Sequence, residues 1–226
     1  MGKLLKGING PFSGKVGTAV GYMWNDIAVI RSRPHKRRKP FSDKELNQQA
    51  RFALMNQFLI PVKNLLNITF AHLAYRMNGF NKGFSYNVKA AILGFSPDLS
   101  IDYPRVLLSR GDLTKPESAS VTPLSPTTLQ FTWMDNSGTG KALRTDQLFV
   151  AVFIPGKNYW FYKMNVAARE AGNYVLDITL LTRDISVFYG NPLQSYVGFV
   201  AEDGEDASDS MYLGLVNVQP NETVNV

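Results

Sequence analysis

Between Arg31 and Lys39 lie six basic residues, Arg31, Arg33, Lys36, Arg37, Arg38 and Lys39, with His35 among them and Pro34 and Pro40 beside them. Proline fixes its own φ and biases the preceding residue toward extended backbone. The run is therefore predicted as a non-helical turn that keeps its charges together instead of dispersing them around a helix. Guanidinium and ammonium groups gathered in this way suit phosphates and carboxylates. Three readings stand side by side: a solvated loop, a contact for DNA, RNA or another polyanion, and a contact for an acidic protein surface, whether of another protein, a second copy or the chain's own second half.

Other candidates for chemistry fail on spacing. Gly10-Pro-Phe-Ser-Gly14-Lys15-Val16 is one spacer short of a phosphate-binding loop and has Val where a hydroxyl must hold magnesium. Gly138-Thr-Gly140-Lys141-Ala142 lacks the leading glycine and the hydroxyl. The acidic run from Glu202 to Asp209 does not alternate its ligands toward a distal Glu as a calcium loop does, and is predicted as a solvated hairpin loop. His35 and His72 have no carboxylate or second His at metal-ligand spacing, so no triad or His-based metal site is expected. The chain has no cysteine, which removes thiolate sites and disulfides together. No catalytic residue, metal ligand or cofactor-binding residue is assigned, and the chain is read as a non-enzyme.

Charge is unevenly spread. Residues 1–115 hold 18 Lys/Arg against 6 Asp/Glu, and residues 116–226 hold 6 against 12, so a net charge of +6 conceals halves of opposite sign. Such asymmetry points to an anionic partner for the first half or to pairing between halves or copies. Apolar content of 45% with 19% charged is ordinary for a folded chain. No stretch approaches the roughly 18 apolar residues of a membrane span. The start Met1-Gly-Lys-Leu-Leu-Lys-Gly7 lacks the apolar run of a signal peptide. A cytoplasmic location is expected.

These side chains need elements to hold them. Five glycines between Gly7 and Gly21, followed by Trp24-Asn25-Asp26-Ile27, predict a β-hairpin with strands near 15–23 and 26–33. Glycine at this density also lets another backbone approach closely. After the basic turn, Ser42 and Glu45 have capping-box spacing and Phe41 can staple onto Leu46, which starts a helix at Asp43. Leu46, Ala50, Ala53, Leu54 and Phe58, broadened by Phe52, Met55 and Leu59, form its apolar stripe. Pro61 ends or kinks this helix and opens a second through about Met77. Asn78-Gly79 closes the second, and a third runs from Ser85 to Leu93 before Gly94.

From about Pro104 the period becomes two. Strands are predicted at Arg105–Ser109, Ser118–Thr122, Leu129–Trp133, Leu148–Ile154, Tyr159–Lys163, Tyr174–Leu180, Val197–Ala201 and Met211–Leu215, separated by Gly, Asn and Pro turns. The fold class is α+β: an N-terminal β-hairpin plus helices (about 43–93) packed with a C-terminal antiparallel β-sandwich of immunoglobulin/fibronectin-like type. The domains are read as 1–100, a basic hairpin-and-helix region, and 101–226, the sandwich. Phe149, Phe153, Tyr159, Trp160 and Tyr162 read either as a half-exposed binding face or, more simply, as side chains buried in the sandwich and against the helices.

Phe12-Ser-Gly-Lys-Val-Gly-Thr-Ala-Val-Gly21, Ile27-Ala-Val-Ile-Arg-Ser-Arg-Pro34 and Gln49-Ala-Arg-Phe-Ala-Leu54 resemble the opening of a bacterial, Bacteroidota-type family catalogued as a domain of unknown function. Ser85-Tyr-Asn-Val-Lys-Ala-Ala-Ile-Leu-Gly94, Val106-Leu-Leu-Ser-Arg-Gly111, Phe131-Thr-Trp-Met-Asp-Asn-Ser-Gly138 and Ser208-Asp-Ser-Met-Tyr-Leu-Gly214 are similar to its later segments. The resemblance covers nearly the whole chain. It implies a cytoplasmic or prophage-borne, virion-associated protein and brings no functional residue with it.

Function is expected along three lines. The first is a non-catalytic structural or interaction protein that uses the basic hairpin and turn as its contact surface, through an acidic protein surface or self-association. The second is sequence-independent binding of DNA or RNA through the same cations, helped by Lys3, Lys6, Lys15, Lys44 and Arg51. The third is a carbohydrate-binding or carbohydrate-active sandwich protein.

Overall fold

A computed structural model describes residues 2–3, 12–24, 27–35, 39–180, 188 and 191–218. Its contacts separate the chain into two compact units, Met1–Ser42 and Asp43–Val226. The charge balance divides the chain near residue 115, whereas the contacts divide it at Ser42, because the helices after Ser42 share a core with the sheets.

The first unit is a small antiparallel sheet. It contains β1 (Gly2–Lys3), β2 (Gly14–Val16), β3 (Ala19–Trp24) and β4 (Ile27–Ser32) in the order β1-β4-β3-β2. The predicted strand 15–23 is in fact two strands. Val16 pairs with Ala19 across a two-residue turn whose first member, Gly17, has φ +58°. That conformation costs any residue with a Cβ, which is why glycine stands there. Gly21 serves a close approach, and the neighbour is the chain's own Phe12. A Cβ at Gly21 would lie 2.2 Å from the Phe12 carbonyl oxygen. Asn25 and Asp26, read as the second turn, lie outside the described residues.

In the second unit, α1 (Asp43–Leu59) begins where the capping spacing predicts and stops before Pro61, which sits in a 3-10 turn, Ile60–Val62. Only part of its predicted stripe is buried: Met55, Phe58 and Leu59 are inside, while Leu46 and Phe52 are exposed. The second predicted helix is shorter than expected, since α2 (Lys63–Thr69) gives way to a 3-10 turn at Ala71–Leu73. The third starts earlier: α3 spans Gly79–Ala90. Asn78 accepts from the Asn81 backbone N–H at 2.8 Å, so Asn78-Gly79 opens a helix and does not close one. A short pair follows, β5 (Ile92–Leu93) with β6 (Ser100–Ile101).

The strand predicted at Arg105–Ser109 does not form. Its backbone groups find side chains in place of a neighbouring strand. Asn87 donates to the Leu107 carbonyl at 2.8 Å and accepts from the Leu107 N–H at 2.9 Å. Thr69 donates to the Leu108 carbonyl at 2.6 Å, and the Leu108 N–H donates to the Ser210 hydroxyl at 2.9 Å. Every buried peptide group needs a partner, and these polar residues supply what a ladder would have supplied.

The remaining strands are β7 (Glu117–Ser125), β8 (Thr128–Met134), β9 (Gln147–Ile154), β10 (Tyr159–Lys163), β11 (Asn173–Asp177), β12 (Pro192–Val200) and β13 (Met211–Asn217). They build two antiparallel sheets, β10-β9-β12-β13 and β11-β8-β7. Alternate residues of β9 enter different cores. Leu148, Val150, Val152 and Ile154 pack with Leu129, Phe131 and Trp133 of the other sheet. Phe149, Ala151 and Phe153 pack with Met55, Phe58, Leu65 and Val88 of the helices. A strand covered on both faces reads as an unbroken apolar run, as Leu148-Phe-Val-Ala-Val-Phe-Ile154 does. Each large side chain so buried contributes about 1.5–3 kcal/mol. Trp160 also ties β10 to α1, donating from Nε1 to the Phe58 carbonyl at 2.7 Å. Tyr159 alone of the five predicted aromatics is largely exposed.

Between the sheets' connecting loops sits a fully buried Arg169. It donates to Asp146 Oδ2 (3.1 Å from Nε, 3.0 Å from Nη2), to Asn136 Oδ1 at 2.6 Å and to the Thr114 carbonyl at 3.0 Å. Its guanidinium carbon lies 3.8 Å from the Phe199 ring centroid. Burial pulls its pKa down, and the Asp146 carboxylate pushes the other way.

Candidate functional site

Strand register sets the chemistry of the hairpin unit. Lys15 pairs with Val20, and Val20 pairs with Arg31, so these three form one row across β2, β3 and β4. Paired residues share a face, and along a strand every second residue returns to it. Tyr22 and Trp24 of β3, with Val29 and Ile27 opposite them, therefore lie on the face of Lys15 and Arg31. The Arg31 guanidinium carbon stands 5.6 Å from the Tyr22 ring centroid. Trp24 is 48% exposed, and Lys15 and Arg31 are exposed. One row of this small sheet thus holds Lys15 and Arg31 on either side of Val20, with Tyr22 and then Trp24 following along the same face.

Of the predicted site residues, Arg31, Arg33 and Lys39 are exposed. Arg33 extends the ladder, its N–H donating to the Thr18 carbonyl at 2.7 Å, which continues the alternation from Arg31. Lys36, Arg37 and Arg38 lie outside the described residues. Among the helper cations, Lys44 is exposed at the start of α1, whereas Arg51 donates to the Val88 carbonyl at 3.0 Å and serves the helix layer. Lys6 lies outside the described residues. Sequence spacing missed the contribution of Tyr22 and Trp24, although their period-two placement with Lys15 on the neighbouring strand carried the signal.

The acidic run is only partly solvated. Asp206 pairs with Lys141 at 3.4 Å, and Asp209 pairs with Lys115 at 3.5 Å. Asp112 joins Lys141 at 3.2 Å, and the hydrogen bonds that the ammonium donates to Asp112 and Asp206 hold its pKa above the ordinary lysine value. His72 does have a carboxylate partner: its Nε2 lies 3.6 Å from Asp206 Oδ1. These residues are 134 apart in the chain (72 and 206), so no spacing rule could pair them. Among the described residues no group of three or more His, Cys, Asp or Glu is placed to hold a metal ion. Among the described residues no helix is long and apolar enough to cross a membrane.

A second cationic place lies on α3. Lys82, Ser85, Tyr86 and Lys89 line a cleft with Phe70 and Arg110. The extended segment held by Asn87 and Ser210 delivers Arg110, whose guanidinium carbon lies 4.9 Å from the Tyr86 ring centroid.

Several solved structures match part of the chain at low similarity. The FN1–FN3 domains of chicken CNTN1 match at 17% identity, covering 49% of this chain and 35% of that one, with a TM-score of 0.37. The fn3 domain of the human collagen alpha-1(XX) chain matches at 10% identity over 47% of this chain and 86% of its own, with a TM-score of 0.34. The FN5 domain of Drosophila Lar matches at 13% identity over 47% and 97%, with a TM-score of 0.25. The chain thus spans about a third of the chicken structure's length. No curated protein matches. The model of one family matches residues 11–214, from before the hairpin face into β13, and the chain belongs to that family of unknown function, DUF6266.

Proposed function

We propose that this is a non-catalytic interaction protein whose N-terminal hairpin carries the contact surface for an anionic partner. The observation that supports it is the single sheet face on which Lys15, Arg31, Tyr22 and Trp24 lie together. Arg33 extends that face by its place two residues after Arg31. The two sheets of the second unit, read as an immunoglobulin/fibronectin-type sandwich, act as scaffold. Resemblance of the Phe12–Gly21 and Ile27–Pro34 segments to bacterial sequences supports a cytoplasmic or virion-associated setting.

A second reading is sequence-independent binding of single-stranded nucleic acid, and the exposed Trp24 favours it. Bases stack on aromatic rings while neighbouring cations neutralise phosphates, and such stacking contributes about 1–3 kcal/mol per base. Titrating the protein with labelled single-stranded DNA and with labelled polyglutamate separates the two. If the first reading holds, both polyanions bind, and Arg31→Gln with Arg33→Gln weakens both alike. If the second holds, Trp24→Ala costs affinity for DNA and leaves polyglutamate unchanged. Absence of binding to either polymer at low salt would reject both.

A further inference from the structure

We propose that the cleft between α3 and Arg110 is a binding site for a small phosphate monoester, independent of the hairpin face. Lys82, Ser85, Tyr86 and Lys89 are spaced i, i+3, i+4 and i+7, which puts them on one face of α3. Arg110 approaches from the segment after Ser109 and lies against the Tyr86 ring, while buried Phe70 lies at the base. The lining therefore offers one guanidinium, two ammonium groups and two hydroxyls, with no carboxylate.

None of Lys82, Lys89 and Arg110 forms an ion pair among the described residues. The carboxylates that meet the same bend are engaged. Asp209 accepts from the Gly111 N–H at 3.3 Å and pairs with Lys115, and Asp206 accepts from the Asp112 N–H at 3.4 Å and pairs with Lys141. Three cations line one cleft with no carboxylate among them, and a bound dianion offsets their mutual repulsion. Arginine grips a phosphoryl group through two parallel N–H donors, and lysine acts as a point charge beside it. A volume of about 200 Å³ suits one phosphoryl group with a compact organic body, not a polymer. The half-buried Tyr86 ring, which lines the same cleft beside Arg110, offers an apolar edge to an ester group.

Calorimetric titration of the full chain with inorganic phosphate and with phenyl phosphate, at fixed ionic strength, tests the site. The expected result is saturable 1:1 binding, weakened about tenfold in Lys89→Gln and in Arg110→Gln. Lys89 is exposed, so its variant stays folded even if Arg110→Gln disturbs the Tyr86 packing. Tighter binding of phenyl phosphate assigns the site to a monoester; phosphate binding as tightly overturns that assignment in favour of the free ion. Arg31→Gln with Arg33→Gln should leave the titration unchanged, so that failure here and failure of the hairpin reading are separate results. No saturable binding of either probe, or full binding by Lys89→Gln, would overturn the proposal.

Discussion

Arg169 and Arg31 carry the same guanidinium into opposite settings. Arg169 is fully buried, and its donors meet Asp146, Asn136 and the Thr114 carbonyl while Phe199 covers one face. Arg31 is exposed on a sheet of short strands, with the Tyr22 ring beneath it. A buried guanidinium must find its partners within the protein, because water is excluded. One left in water is free to trade hydration for a partner from outside. The difference separates a charge that serves the fold from a charge available for contact, and substitutions at each place should separate the same way.

The largest effect is expected at the buried node. Arg169→Ala strands the Asp146 carboxylate and should lower unfolding free energy in urea by about 3–5 kcal/mol. Replacing the pair together, Arg169→Met with Asp146→Leu, should cost clearly less, because no unpaired charge remains. Equal losses in the two variants would break the contrast drawn between the arginines.

Next comes Asn87→Ala, which removes both hydrogen bonds to Leu107. A loss of about 1–3 kcal/mol is expected, with faster amide exchange from Leu107 to Arg110. It should also weaken phosphate binding at Arg110 and leave the hairpin face untouched. Gly17→Ala, confined to the hairpin turn, should cost about 1–2 kcal/mol of that unit's stability. Its signature is a lower melting transition for the hairpin alone, read by amide exchange of β2 and β3.

The smallest effect concerns Lys141, a half-exposed cation with two acidic neighbours. Its folded-state pKa is raised above the ordinary 10.5. Its stabilisation is therefore complete below that value and lost as pH rises through the folded value. The difference in melting temperature between the parent chain and Lys141→Gln should be constant near neutrality and shrink above about pH 10.

Much of the scaffold was legible because its signals are local. Alternation marked β8, and the Ser42–Glu45 spacing with Pro61 bounded α1. Two-sided burial of Phe149 and Phe153 followed from the unbroken apolar run 148–154. The failures share a cause in distant contacts. Val106-Leu-Leu reads as a strand, yet Asn87, Thr69 and Ser210 take its backbone bonds from 20, 39 and 102 residues away. Asn78-Gly79 reads equally as an end or a beginning, and the Asn78 side chain decides for a beginning. His72 and Asp206 meet only through the folding of the second unit. At the hairpin, counting cations drew notice to the turn, whereas register identified the face, since only pairing puts Lys15 in one row with Arg31, across Val20, and on the face of Tyr22 and Trp24.

The most direct measurement is the salt dependence of binding to labelled single-stranded DNA, for the parent chain and for Arg31→Gln with Arg33→Gln. Each phosphate neutralised contributes about −0.7 to the slope of log K against log salt. The hairpin account predicts a slope shallower by about 1.4 in the variant, with the unfolding curve unchanged. A parent and variant with the same slope and affinity would contradict it.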